Sequence, residues 1–378
     1  MDKIIKDFIK ENEGELYRLL KELCLIPAPS GNEDKRAEFC YKWLKEVGAE
    51  GVYIDEAKNV VFPFNCENKN DLSVFVAHTD TVFPDLTPMP YIEEEDIIRS
   101  PGVTDDTASL VVLLLCAKFF VENKAELEKG VLFVCNSGEE GLGNLKGTKQ
   151  IFKDYKGRIL QFVSFDSVFN KISTRCVGSH RYKVTVLTEG GHSYQAFGKK
   201  NAIAEISKIA SEIYKIERPQ IENSKSSYNV GIISGGTSVN TIAQNAEMLC
   251  EYRSNDEKCL SILKKSFEKI FEEAKKEDVE VKVELIGERP CMKDVDLDKI
   301  ENMFSVCKKI IEFVTKTDVI ASSSSTDCNI PLSLGIPAIC IGVCQGGGAH
   351  TREEWLEKAS FPSGLEVGIK CILSLIKE

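Results

Sequence analysis

SVFVA (73–77), DTASLVVLLLCAKFFVE (106–122) and VLFVCN (131–136) decide the fold. The outer two are short apolar runs rich in β-branched and aromatic residues, the pattern of strands covered on both faces. The middle run is too long for a strand and reads as a helix. Strand, helix, strand is a βαβ unit, and its strands pair in parallel. Working outward, the alternation continues with strands over 60–64 and 159–165 and a helix around 145–155. Upstream, Ile4, Ile5, Phe8, Ile9, Leu16, Leu19, Leu20 and Leu23 recur at helical spacing. Pro27 and Pro29 break that helix, and Ser30 with Glu33 spells a capping box for the next one, over about 32–47, which Gly48 ends. The fold class is therefore α/β: a mixed, mostly parallel sheet flanked by helices.

The pattern changes after about residue 176. YKVTVLTE (182–189) alternates as a strand. A helix near 201–216, strands near 227–233 and 247–252, a helix near 256–275 and a strand near 279–285 follow. That order, β-α-β-β-α-β, is ferredoxin-like. From residue 288 the α/β pattern resumes, with helices over 297–314, 327–334 and 364–376 and strands at 318–321 and 338–341. The expected organisation is one domain built from 1–176 and 288–378, with a second, 177–287, inserted into it.

Composition narrows the function classes. The chain has 378 residues, 43% hydrophobic and 28% charged, with a net charge of −11. An acidic chain without a basic patch is a poor partner for nucleic acid or an anionic membrane. No apolar run nears the roughly 20 residues that span a bilayer. The N-terminal segment has no continuous apolar stretch of the kind a secretory signal needs. Fourteen cysteines are scattered singly, many in apolar runs and none as C-x-x-C, which favours a reducing, cytoplasmic setting over a disulfide framework.

The polar residues that could carry chemistry stand at strand ends, where open parallel sheets gather their functional groups. His78-Thr79-Asp80 follows one strand, and alternation puts residues 78 and 80 on one side. Asp105 and Asp106 precede the long helix; taken alone they read as N-caps. Glu139-Glu140 sits between glycines after the strand 131–136, where a plain turn would use Asn, Asp, Ser or Gly. Asp166 ends another strand and alone reads as a turn residue. GGGAHTREEW (346–355) follows the last strand and brings His350. Singly each signal is weak. Together, two histidines and several carboxylates without a thiolate suit zinc, cobalt or manganese, and a shared carboxylate suits a two-metal site.

The order H-x-D, G-x-x-D-D, E-E-G, D and H-T-x-E-E-W resembles the M20 family of di-zinc metallopeptidases and deacylases, over nearly the whole chain. The resemblance implies a zinc-peptidase-like fold whose inserted domain is a lid and dimerisation domain. It implies that His78 and Asp166 bind one metal ion, Glu140 and His350 a second, and that Asp105 bridges them. Glu139 would be the general base, and Asp80 would orient His78. The two ions would be zinc, with cobalt or manganese as alternatives. In the inserted domain, Gly190-Gly191-His192-Ser193 resembles the family's G-H motif, whose histidine reaches the partner subunit's site and stabilises the oxyanion. Asn240, within Gly235–Asn240, would contact substrate, and Arg253 would hold a substrate carboxylate through a bidentate guanidinium pair. His180 matches no motif and reads as structural. Where relatives often carry D-D-K or D-M-K, this chain has Asp105-Asp106-Thr107.

Asp166, together with Ser325–Asn329 and the GIPAI that follows (335–339), is similar to the tripeptidase T-like branch. The resulting expectation is a cytoplasmic, homodimeric aminopeptidase acting on short peptides. An N-acyl amino acid deacylase or a carboxypeptidase is the rival of the same chemistry. A non-catalytic metal-binding module is the rival of another class; it would have lost a ligand or the base, and neither is missing.

Overall fold

A computed structural model describes residues 1–123, 127 and 129–377. The chain divides into two compact units, Met1–Cys176 with Asp294–Glu378, and Val177–Lys293.

In the larger unit an eight-stranded sheet runs in the order Tyr53–Ile54, Val60–Phe64, Gly130–Asn136, Leu72–His78, Ile159–Phe165, Ala338–Ile341, Lys171–Cys176, Ile320–Ser324. Its four central strands are mutually parallel. Antiparallel pairs join them to the flanking strands on either side. Every residue of Leu72–His78 and of Gly130–Asn136 is buried, which explains their unbroken apolar sequence. The helix Ala108–Glu122 has no polar stripe because nearly all of it is inside, packed against the helices Asp2–Cys24 and Ser360–Leu375 and the sheet. Each such Leu, Val or Phe contributes about 1.5–3 kcal/mol by leaving water.

Two local expectations fail. The capping box does not form: the helix Asp34–Glu46 has no side-chain cap. The Ser30 hydroxyl instead donates to Asp80 Oδ2 at 2.6 Å, and Glu33 accepts from Gly31 N and from Lys146 Nζ. The charged acceptor across the fold sets where the Ser30 hydroxyl points. The long helix also starts later than Asp106. Val103–Thr107 form a wide π-type turn with non-helical backbone at Asp105 and Asp106 and a cis peptide between them, and regular helix begins at Ala108.

The smaller unit has four antiparallel strands in the order Ser226–Gly235, Asn245–Ser254, Gly178–Leu187, Glu280–Arg289. Helices Ala202–Ile213 and Glu257–Ala274 pack on them around Tyr182, Val184, Ile206, Met248, Tyr252 and Phe267. The alternating burial of Asn245–Ser254 marks a sheet with one covered face. His180 lies in this unit against Tyr252 Oη at 2.5 Å and Glu288 at 3.2 Å.

Candidate active site

The parallel strands deliver their carboxyl ends to one place. His78 is the last residue of its strand and is buried, with Nε2 3.0 Å from Asp105 Oδ1. The other oxygen of Asp105 lies 3.1 Å from His350 Nε2, which is also 3.1 Å from Glu140 Oε1. Asp105 thus faces an imidazole with each of its oxygens. In three overlapping groups all the candidate donor atoms lie within 4.8 Å of one another: His78, Asp105 and Asp166; Asp105, Glu140 and His350; His78, Glu139 and Glu140. Every residue of the larger unit read as a ligand or base is in at least one of them.

The donors are held from behind. Asp80 is fully buried; its carboxylate accepts the backbone N–H of Glu139 (3.0 Å) and of Glu140 (2.9 Å) as well as the Ser30 hydroxyl. Its carboxylate lies 3.5 Å from His78 Nδ1, while its own carbonyl oxygen is closer, at 3.0 Å. Asp80 therefore meets the buried histidine most closely through its main-chain carbonyl and the Glu139–Glu140 turn through its side chain. Asp327, also buried, accepts from Asn136 Nδ2 at 2.6 Å and from the Thr148 hydroxyl, bracing both ends of the same loop. Gly346 allows the last segment to approach: a Cβ there would lie 2.2 Å from the Trp355 carbonyl oxygen and 2.5 Å from Thr104 Cγ2. His350 itself adopts φ 66°, a left-handed conformation uncommon for a residue with a Cβ.

Sequence reasoning passed over two buried charged residues. Arg36 Nε donates to the Ile26 carbonyl, and its Nη1 donates to the Thr79 carbonyl (3.0 Å) and the Thr107 hydroxyl (3.2 Å). It lies on the inward stripe of its helix with Ala37, Cys40, Trp43 and Leu44, and that spacing was the available signal. The other is Glu354, which lies within H-T-x-E-E-W but was given no role.

The electrostatics describe a place built for cations. Burial pushes the Asp166 carboxyl well above its ordinary range, and the charge of Asp105 adds to it. Burial likewise raises Glu140 to about 7, against the opposing bond to His350. His350 is raised to about 10 by its contacts with Asp105 and Glu140. Burial would lower His78, but Asp106, Asp105 and Asp80 together hold it well above its usual value. Carboxylates that crowd one another and borrow protons from two histidines are a donor set that divalent ions would satisfy. With no thiolate in any of the three groups, the set fits a zinc-type site of nitrogen and oxygen ligands.

In the smaller unit, His192 and Asn240 are brought together by a two-stranded ribbon in which Gly191–His192 pairs with Thr241–Ile242. Ser193 N donates to the Asn240 carbonyl at 2.9 Å, and the Ser238 hydroxyl donates to Asn240 Oδ1 at 2.7 Å. Arg253 stands at the far end of the strand Asn245–Ser254, bonded to Glu251 by Nε (2.7 Å) and Nη2 (3.0 Å).

Fold and site together define a hydrolase of the metallopeptidase class. The chain belongs to peptidase family M20/M25/M40, whose family model matches residues 74–378. It is 23% identical over 349 residues to the succinyl-diaminopimelate desuccinylase of Corynebacterium glutamicum, covering 90% of this chain and 91% of the relative. A tripeptidase from Staphylococcus aureus superposes with a TM-score of 0.72 at 21% identity, covering 97% and 99% of the two chains. YxeP of Bacillus subtilis, a dinuclear metal-binding peptidase from the M20 family, gives 0.63 at 14%, covering 97% and 99%. Similarity at that level shows the fold these structures share with this chain. Among the described residues no helix is long and apolar enough to cross a membrane.

Proposed function

We propose that this chain is a metal-dependent aminopeptidase of the tripeptidase T-like kind, hydrolysing amide bonds in short peptides. The observation that carries the reading is Asp105, one oxygen against His78 and the other against His350, with Asp166 and Glu140 in reach on either side. On this reading His78 and Asp166 hold one divalent ion, Glu140 and His350 the other, and Asp105 both, with zinc favoured over cobalt or manganese. Two such ions would lower the pKa of a water towards neutrality and polarise the scissile carbonyl. Glu139 would take a proton from the attacking water and hand it to the leaving amine. Asp80 keeps the Glu139 backbone fixed while this happens. In a homodimer formed through the smaller unit, His192 of a second copy stabilises the developing oxyanion, the kind of contact that usually carries the largest electrostatic gain. Asn240 contacts substrate and Arg253 holds its carboxylate. The setting is the cytosol.

The desuccinylase relative favours one alternative of the same chemistry, cleavage of an N-acyl group from an amino acid. A panel of di- and tripeptides with free or blocked termini, assayed beside N-acyl amino acids with zinc, cobalt or manganese, separates the two. The proposal expects turnover only of substrates with a free amino terminus. Cleavage confined to acylated amino acids would overturn it in favour of the deacylase.

A further inference from the structure

Glu354 has no part in the roles above, yet it is fully buried and its carboxylate makes four hydrogen bonds to a single turn. Oε1 accepts from Thr104 N (2.7 Å), the Thr104 hydroxyl (2.6 Å) and Asp105 N (2.9 Å). Oε2 accepts from Gly102 N at 2.9 Å. The turn needs an outside hold. Asp105 sits at φ −120° and ψ 83°, so no regular helical hydrogen-bond ladder maintains its direction. Buried N–H groups at such a place must find an acceptor, and here one carboxylate supplies it for three of them, those of Gly102, Thr104 and Asp105.

The position of Glu354 in the chain adds a second argument. Four residues earlier the same segment presents His350 to Asp105 Oδ2. Immediately after it, Trp355–Glu357 pairs with Ile97–Arg99, and Ser100 N donates to the Glu354 carbonyl at 3.1 Å. One stretch of chain therefore faces the Asp105 side chain with an imidazole, grips the Asp105 main chain with a carboxylate, and is zipped to the strand that leads into the turn. If the turn shifts, the segment that carries the imidazole shifts with it.

We propose that Glu354 is a positioning residue that fixes the spacing between Asp105 and His350, and through it the geometry of the two-ion site. The inference rests on the metal-site reading given above. The test is titration of chelator-stripped protein with cobalt(II), followed by its visible absorption, for the wild type, Glu354→Ala, Glu354→Gln and a control, Ile372→Ala, in a buried position of the helix Ser360–Leu375. Loss of an outer partner of this kind weakens metal binding about 10- to 100-fold. Glu354→Ala is expected near the upper end of that range. Glu354→Gln, which keeps one acceptor but turns an N–H₂ towards a donor, is expected near the lower end. Ile372→Ala should melt earlier than the wild type and bind cobalt unchanged, which separates positioning from general destabilisation. Should Glu354→Ala not fold, Glu354→Gln decides alone. Folded variants that bind two cobalt ions with wild-type affinity and spectrum overturn the inference and leave the metal site standing. Wild-type protein that takes up no cobalt overturns both.

Discussion

The two units hold their candidate site residues in opposite ways. In the larger unit His78, Asp80, Glu139, Glu140 and Asp327 are buried and Asp105 and Asp166 partly so; His350 is exposed but is met by both Asp105 and Glu140. In the smaller unit His192 and Asn240 are exposed, and their side chains accept from Tyr194 N and from the Ser238 hydroxyl, within their own ribbon and its turns. Beside them Tyr194, Phe197 and Val239 are almost wholly in solvent. Burial with several partners fixes a side chain to within a fraction of an ångström, which metal binding demands. An exposed ribbon with large apolar side chains suits residues whose partner arrives from elsewhere.

That contrast can be broken at its strongest point first. Glu139→Gln should lower kcat at least about a hundredfold, the scale of a lost general acid–base, while two ions remain bound. Near-full activity, or loss of metal along with activity, would remove Glu139 from its role. His192→Ala should cost less in its own chain's stability, because its side chain packs against so little, yet should lower kcat by roughly ten- to a hundredfold with metal content unchanged. Mixing it with Glu139→Gln should restore part of the activity once subunits exchange. No recovery after verified exchange would confine the histidine to its own chain. Arg253→Ala is expected to be the mildest, raising KM for peptides with a free carboxyl terminus roughly tenfold and leaving amidated peptides alone. An equal effect on both substrates would assign Arg253 to its contact with Glu251.

Much of the sheet was readable because its strands are apolar runs that stop at polar turns. The strands Val60–Phe64, Ile159–Phe165 and Ala338–Ile341 fall where the sequence put them. Lys171–Cys176 was missed because KISTRC has no apolar run to announce it; it earns its strand by pairing with Ala338–Ile341 and Ile320–Ser324. At the site the groups that would touch ions or substrate carry recognisable motifs. Groups behind them, such as Asp80, Asp327 and Glu354, lie in such stretches too, but what they hold was not legible because their partners are distant in sequence. Ser30 looked like a cap until Asp80, fifty residues on, claimed its hydroxyl. Glu354 serves a turn 250 residues away.

Arg36 carries a practical lesson about where an enzyme begins. The family model matches from residue 74, and a minimal version trimmed to that point would keep every site motif from H-x-D to H-T-x-E-E-W. It would lack the guanidinium that joins the carbonyl between His78 and Asp80 to the hydroxyl beside Asp106. Two neighbouring loops would then be free to drift apart beneath an intact set of recognisable motifs. The stretch before the family model's match thus supplies a keystone of the floor beneath the candidate site.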